Sequence, residues 1–310
     1  MITLNKTLDL GVRYFSLEEY VKNIKVSNEV LEHLEYVEEE FDNYMKKLLS
    51  YDVDYITKYW IYLLYIEMKS SQKIENHPFD NIKDLSPELL VNNSVISHDR
   101  IHQIHDYAVL DDNKDGFSYR NVGVNVSNIN EDETEKVFYR GVNSADINLF
   151  MDDFVKIYNH TKNEQINNSS ILKSALLHML FVAIHPYRDG NGRTARIIHN
   201  LKFTSSISHY YKVSLRLSPI NLSKSLYINK ITYINTLRKI IFDGKHDDNV
   251  AINKWFDFIL NMTEEQIYMS SQKLDTIDRD FIKELNYLSQ HFNRVNPKDS
   301  GAKELKKYYK

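Results

Sequence analysis

Glycine and proline are scarce in this chain, with eight glycines and five prolines among 310 residues. Glycine serves tight turns and proline interrupts helices, so their scarcity argues against a turn-rich all-β protein and favours long helices. Apolar residues also recur at helical spacing through most of the chain. The sequence therefore predicts a mainly helical, all-α fold, with enough length for one large domain or two smaller ones.

The segments with helical spacing are separated by one stretch of a different kind. Residues 119–126 alternate between apolar and polar side chains, and residues 136–139 form a short partner, so a small β-hairpin is predicted there. Residues 296–310 are polar and are expected to be loosely packed. The predicted helices lie at about residues 16–50, 54–75, 96–110, 144–160, 169–184, 194–207, 221–242, 249–262 and 264–291.

The composition limits the cellular setting and the available chemistry. The chain has no cysteine, which excludes disulfides, thiolate metal sites and thiol nucleophiles. It shows neither a signal-peptide pattern nor an apolar run of about 18 residues, the length of a membrane-spanning helix. We therefore expect a cytoplasmic protein without a membrane partner.

Charge is distributed unevenly although the net charge is only −4. Acidic residues recur through 29–40 at a spacing typical of the solvated face of a helix. Residues 190–242, in contrast, contain no Asp or Glu. Such a basic block attracts polyanions, and charge alone leaves a nucleotide and a nucleic acid equally open. Its basic residues are Arg193, Arg196, Lys202, Lys212, Arg216, Lys224, Lys230, Arg238 and Lys239.

Residues 185–196 read His-Pro-Tyr-Arg-Asp-Gly-Asn-Gly-Arg-Thr-Ala-Arg. His185 follows a buried helix that Pro186 ends, and its unperturbed pKa suits a general base at neutral pH. Asp189 is a ligand suited to Mg²⁺. The glycines at 190 and 192 permit backbone conformations in which amide groups converge on an anion. These parts predict a site that handles a phosphate-bearing group.

Two arginines complete this predicted site. A new helix should begin near Arg193, and the amides and dipole at its N-terminus favour phosphate. Arg193 and Arg196 are three residues apart, so they share one face of that helix. Both can bind neighbouring phosphoryl groups as multi-donor forks.

The segment resembles the signature of the Fic/Doc family, His-Pro-Phe-x-(Asp/Glu)-Gly-Asn-Gly-Arg-x-x-Arg. Positions 185–196 match every fixed residue except one, where Tyr187 stands for Phe. We expect the Tyr187 ring to anchor the loop in the core and its hydroxyl to find a partner. Residues 175–181 resemble the preceding helix of the family and residues 119–124 its flap hairpin, so the resemblance covers roughly 60–262.

The resemblance implies transfer of AMP from ATP to a Ser, Thr or Tyr hydroxyl of a protein. His185 would be the catalytic base. Asp189 would bind Mg²⁺, and the Asn191 side chain with the backbone amides of Gly190 to Gly192 would stabilise charge on the phosphates. Arg193 would hold the β-phosphate and Arg196 the γ-phosphate.

The resemblance also implies a helical Fic fold with a flap and with helical N- and C-terminal extensions. The flap would align the target protein segment as an added strand. It comprises Val122, Gly123, Val124, Asn125 and Val126. The expected division is an N-terminal helical region at 1–95, a catalytic core at 96–262, and a C-terminal helix and tail at 263–310.

Residues 70–76 resemble an inhibitory motif of the same family, (Ser/Thr)-x-x-x-Glu-(Gly/Asn). The matching positions are Ser71, Glu75 and Asn76. Ser71 and Glu75 are four residues apart on one helix face, and Asn76 suits a left-handed helix stop. Glu75 would pair with Arg196 and occupy the place of the γ-phosphate. The enzyme is therefore expected to be inhibited within its own chain.

Several alternatives stay open at this point. The same site could remove AMP or transfer another phosphate-containing group. A non-enzymatic reading is a DNA-binding or scaffold protein that uses the basic C-terminal half, although a nucleic-acid partner is not what the motif favours. The expected partners are ATP and a protein substrate, which could be the chain itself, and the sequence leaves a homo-oligomer open.

Overall fold

The computed structural model describes residues 16–77, 95–109, 118–129, 135–242, 248–276, 279–291 and 302–307. Helices dominate these ranges, which confirms the predicted all-α class. The helices are α1 Leu17–Lys22, α2 Asn28–Leu48, α3 Val53–Ile74, α4 His98–Val109, α5 Ile147–Asn159, α6 Glu164–Asn168, α7 Ser170–Ile184, α8 Asn191–Tyr211, α9 Ser223–Ile228, α10 Lys230–Phe242, α11 Asp248–Asp275, α12 Arg279–His291 and α13 Ala302–Leu305. Among the described residues, none of these helices has both the length and the apolar character needed to cross a membrane.

A two-stranded antiparallel hairpin interrupts the helices. Strand β1, Asn125–Ile129, pairs with β2, Glu135–Arg140, and the register shifts between Val126 and Ser127. The second strand lies where the sequence predicts it. The first begins at residue 125 instead of 119, so the prediction is wrong for residues 119–124. Most of the predicted flap thus precedes the strand.

The chain forms two compact units, each drawn from separate stretches. Unit 1 comprises residues 1–27, 95–198 and 231–258, and unit 2 comprises 28–94, 199–230 and 259–310. Both units therefore draw on the regions predicted to lie before and within the catalytic core. The predicted division after residue 262 falls inside α11. The assignment of functions to the three predicted ranges stays a prediction.

Unit 1 is centred on α7, whose residues are almost all buried, as the mainly apolar sequence of this helix predicts. Helices α5 and α6 pack on α7. The rings of Phe154 and Phe181 make an edge-to-face contact with their centroids 5.4 Å apart. The indole Nε1 of Trp255 donates to the carbonyl oxygen of Ala175 at 2.8 Å. This core fixes the end of α7, where the candidate base lies.

Unit 2 is centred on α3, which contacts α9, α12 and α13. Its buried Glu67 accepts from the Asn200 side-chain amide at 2.7 Å, from the Ser223 N–H at 2.7 Å and from the Ser223 hydroxyl. These donors satisfy a carboxylate that would otherwise be costly to bury. Leu305 of α13 is also buried, so this part of the predicted loose tail is packed.

Three predicted helix boundaries are wrong. The predicted helix at 16–50 is two helices, because residues 23–27 bond to side chains instead of continuing the helix. Asn163 donates to the carbonyls of Val21 and Ile24 at 3.1 and 2.8 Å. The side chains of Asn249 and Asn253 accept from the amides of Lys25 and Ser27. The predicted helix at 221–242 is likewise interrupted, at residue 229. In contrast, α11 continues through the predicted break at residue 263, since no Gly or Pro stands there.

Candidate active site

His185 ends helix α7 in a left-handed backbone conformation. Its φ and ψ are 53° and 59°, and its N–H donates to the Phe181 carbonyl at 3.0 Å. A residue with a Cβ in this region costs roughly 1–3 kcal/mol and persists where the surroundings enforce it. The backbone at the candidate base is therefore held by its neighbours.

The imidazole of His185 is partly exposed and oriented by the same helix end. Its Nδ1 lies 3.3 Å from the carbonyl oxygen of Val182. A carbonyl only accepts, so Nδ1 carries the hydrogen in this contact. In the neutral ring Nε2 then carries the lone pair, as a general base requires.

Tyr187 anchors the loop that follows. Its side chain is fully buried, and its hydroxyl lies 2.7 Å from Nδ1 of His102. Its ring stacks on His105 at a centroid distance of 3.5 Å. Both parts of the sequence prediction for Tyr187 are confirmed. Burial, with a smaller contribution from His98, lowers the pKa of His102. The neutral Nδ1 of His102 can therefore accept a hydrogen bond from the Tyr187 hydroxyl.

Asn191 closes the loop from the other side. Its side-chain oxygen accepts from the Tyr187 N–H at 2.9 Å, and its side-chain nitrogen donates to the Tyr187 carbonyl at 2.8 Å. The side chain is buried. Through these two hydrogen bonds Asn191 holds the shape of the loop. Its contact with nucleotide phosphates stays a prediction.

Gly190 allows the chain to turn from the loop into α8. Its φ is 74°, and a Cβ at this position would lie 2.6 Å from Cγ2 of Val109. Its carbonyl accepts from both the amide and the hydroxyl of Thr194 at 2.9 Å. Gly190 thus adopts a backbone conformation that other residues resist, as the sequence predicts for this glycine. Gly192 lies in the first turn of α8, and anion binding by the amides of this turn stays a prediction.

The two motif arginines are buried on α8. Arg193 Nη2 binds Oδ2 of Asp189 at 2.9 Å, and its Nη1 lies within 3.4 Å of the carbonyls of Ala108 and Val109. Nη1 of Arg196 lies 3.5 Å from the hydroxyl of Tyr233. The helix thus brings the Arg193 guanidinium to the predicted metal ligand and the Arg196 guanidinium to Tyr233.

Asp189 is exposed, as a carboxylate that binds a metal ion together with substrate and water must be. Its side chain is 76% exposed. Within the described ranges, no group of three or more His, Cys, Asp or Glu side chains could hold a metal ion. Mg²⁺ is commonly bound by one or two carboxylates together with substrate phosphates and water, so one exposed carboxylate suffices.

The predicted inhibitory segment lies at the end of α3, in unit 2. The helix ends at Ile74, and Asn76 has a φ of 60°. The amides of Asn76 and His77 donate to the carbonyls of Lys73 and Gln72 at 3.1 and 3.0 Å, which is the Schellman pattern. The predicted left-handed helix stop is confirmed.

The side chains of this inhibitory segment differ in exposure. Glu75 is exposed and Ser71 is buried. The side-chain oxygen of Asn76 accepts from Lys230 Nζ at 2.8 Å. The contact of Glu75 with Arg196 stays a prediction.

The basic block at 190–242 does not form one exposed surface. Arg193, Arg196 and Lys202 are buried, and of its nine basic residues only Lys212 and Lys239 are highly exposed. A nucleic-acid surface needs accessible Lys and Arg side chains to contact phosphates. The charge pattern therefore gives little support to the DNA-binding alternative.

The sequence did not identify several residues that shape this site. His98, His102 and His105 recur at helical spacing on α4, and this periodicity was a visible signal. Arg120 binds the carbonyls of His185 and Pro186, and Tyr233 lies next to Arg196. Neither residue carries a local sequence signal, because each acts on residues far away in the chain.

Residues 95–202 match the Fic/DOC family. A crystal structure of a Fic family protein from Desulfovibrio desulfuricans G20 is similar over 88% of this chain and 86% of that chain, with a TM-score of 0.50 and 13% identity. The structure of Fic-1 from C. elegans is similar over 77% of this chain and 70% of that chain, with a TM-score of 0.51 and 18% identity. At these identities the two structures show a shared fold. Residues 95–202 therefore form a domain of the Fic/DOC family.

Proposed function

We propose that the chain transfers AMP from ATP to a Ser, Thr or Tyr hydroxyl of a protein, and that Glu75 inhibits this reaction. The main support is the conformation of His185, which ends a buried helix in the left-handed region. It stands directly before the loop that leads into the N-terminus of α8. The candidate base and the start of α8 are thus separated by five residues, 186–190.

The proposed chemistry needs one proton acceptor and one leaving group. Nε2 of His185 takes the proton from the target hydroxyl, whose oxygen attacks the α-phosphorus of ATP. A bond forms between that oxygen and phosphorus as the bond from phosphorus to the bridging oxygen breaks. Pyrophosphate leaves, and AMP stays on the protein.

The residues of α8 and its preceding loop are suited to holding ATP. The amides of the first turn of α8 bind phosphate oxygens, Arg193 binds the β-phosphate and Arg196 the γ-phosphate. Asp189 holds Mg²⁺, which when bound neutralises negative charge on the phosphates. Asp189 and Arg193 pair with each other at 2.9 Å. In the proposal Asp189 also binds the metal ion and Arg193 also binds ATP.

Glu75 would act by competing for one of these groups. In the proposal its carboxylate binds Arg196 and takes the position of the γ-phosphate, so ATP cannot adopt the orientation for attack. The Schellman stop supports this role, because it ends α3 directly before Glu75 and leaves that side chain exposed. This support is local to the helix end.

Glu75→Gly is expected to raise AMP transfer strongly over the wild-type chain. Both proteins are incubated with labelled ATP and Mg²⁺, with and without a cell lysate, and intact masses are measured. Adding His185→Ala to Glu75→Gly should lower the rate by about 10²–10⁴-fold while nucleotide binding stays measurable. A gain of one AMP on the chain or on a lysate protein supports the reaction.

Other outcomes would change the proposal. Equal transfer by the wild-type and Glu75→Gly chains would sink the inhibitory role of Glu75. A mass gain that corresponds to another group would mean that the site transfers a different phosphate-containing group instead of AMP. Loss of AMP from a previously modified protein would favour the alternative in which the same site removes AMP.

A further inference from the structure

Arg120 binds two consecutive carbonyls of the catalytic loop. Its backbone N–H donates to Pro186 at 2.9 Å, and its Nε donates to His185 at 2.7 Å. The Arg120 side chain is itself buried. The backbone and side chain of one residue therefore bind the two consecutive peptide groups that follow the candidate base, one on each side of Pro186.

The rest of the guanidinium reaches two other chain segments. Nη1 donates to the carbonyl of Val122 at 2.7 Å, and Nη2 donates to that of Val142 at 2.5 Å. Val122 begins the predicted flap, and Val142 follows the hairpin. Each of the three guanidinium nitrogens thus donates to a different segment, a geometry that the planar fork of arginine permits and the single ammonium of lysine does not.

The chain leaves little space around this guanidinium. A Cβ on Gly141 would lie 2.6 Å from Nη2 of Arg120 and 3.1 Å from Cβ of His185. The amide of Gly141 donates to the carbonyl of Val124 at 3.1 Å, and that of Val142 donates to Ile184 at 3.3 Å. The segments before and after the hairpin therefore pack directly against the end of α7.

We propose that Arg120 is the positioning residue that keeps His185 in its left-handed conformation and ties the flap to it. Because the His185 carbonyl direction depends on its ψ angle, a charged donor on that oxygen favours the observed angle. Because the same guanidinium holds Val122, the flap and the base keep a fixed relation. The inference rests on the proposed AMP transfer and adds the residue that aligns the target with the base.

The kinetic test compares Arg120→Lys and Gly141→Ala in the Glu75→Gly chain. Both variants should lower kcat at saturating ATP by about 10²-fold, since misplacing a reacting group by roughly 1 Å has this effect. The Kd for ATP with Mg²⁺ should change less than about threefold, because the phosphate-binding residues stay in place. Gly141→Ala keeps the guanidinium and displaces it, so it checks Arg120 without deleting it.

Asn163→Ala is the matched control for a purely structural effect. Asn163 is buried in the same unit and donates to two backbone carbonyls, those of Val21 and Ile24. Its loss should lower the melting temperature and leave kcat unchanged below that temperature. If Arg120→Lys lowers kcat no more than this control does, the positioning role is overturned.

A measurement independent of activity separates this inference from the proposed function. Hydrogen exchange should become faster together in peptides covering 118–124 and 181–191 in Arg120→Lys, and in neither with Asn163→Ala. If the Glu75→Gly parent transfers no AMP, the proposed function fails while exchange still tests the coupling. Unchanged exchange in either peptide would overturn the coupling of flap and base.

Discussion

His102 is a neutral histidine whose role depends on remaining neutral. Burial is the main cause that lowers its pKa below 6.5, and the neighbouring His98 lowers it further, whereas Asp106 and Asp99 act in the opposite direction. Its Nδ1 faces the hydroxyl of Tyr187 at 2.7 Å. Protonation at Nδ1 would reverse this hydrogen bond, with Nδ1 donating to the Tyr187 oxygen, and would place a charge on a buried ring beside the loop that Tyr187 anchors.

The pH dependence of stability should report this histidine. A lowered folded-state pKa means that the unfolded chain binds the proton first as pH falls. The contribution of His102 is thus complete above about pH 6.5 and is lost between that value and its lower folded pKa. Urea unfolding measured between pH 7.5 and 5.5 should show a smaller loss of unfolding free energy in His102→Asn than in the wild-type chain. The amide oxygen of this asparagine can still accept from Tyr187. Identical pH dependence in the two proteins would exclude His102 as the cause.

At the scale of an element, the start of α8 depends on Gly190. A left-handed φ and the close approach of Val109 both oppose a side chain there. The element carries Arg193 and Arg196, so a shift of its first turn would move the proposed phosphate-binding groups. The first turn of α8 is therefore a place where stability and binding should fail together.

Gly190→Ala should destabilise the chain by about 1–3 kcal/mol, through strain and overpacking. It should also weaken binding of ATP with Mg²⁺, measured by calorimetry. Gly123→Ala is the matched control for stability, because a Cβ at that position meets no atom within 4 Å. Equal melting temperatures for both variants would contradict the account of the turn.

The predictable elements were those whose own residues decide their ends. The stop of α3 could be predicted from Asn76, and the buried helix α7 from its apolar sequence. The hairpin start could not, because Arg120 bonds to Pro186, 66 positions later, and draws its segment away from the strand. The same limit applies to the site, where the anchoring role of Tyr187 could be predicted and its pairing with His102, 85 positions away in the chain, could not.

At the scale of the whole molecule, the open question is which polyanion the chain binds. Three of the nine residues of the basic block are buried, and the motif arginines stand at a helix end suited to phosphates. A ligand that binds only the folded state raises stability by RT ln(1 + [L]/Kd), about 2.7 kcal/mol at 100 times the Kd.

ATP with Mg²⁺ should therefore raise the melting temperature of the full chain, and duplex DNA of equal phosphate concentration should not. The shift should shrink in Arg193→Lys, which loses the fork for phosphate, and persist in Lys239→Ala, which removes an exposed charge of the same block. Stabilisation by DNA without any effect of ATP would favour the scaffold alternative.

The packing of unit 1 also limits how the molecule can be dissected. The range that matches the family, 95–202, excludes Trp255, which binds Ala175, and Tyr233, which binds His178. It also excludes Leu17, whose amide binds the buried carboxylate of Asp153. A fragment cut at the family limits would expose the apolar surface of α7 and leave buried polar groups unsatisfied. The range that matches the family is thus smaller than the portion that can be expected to fold when expressed alone.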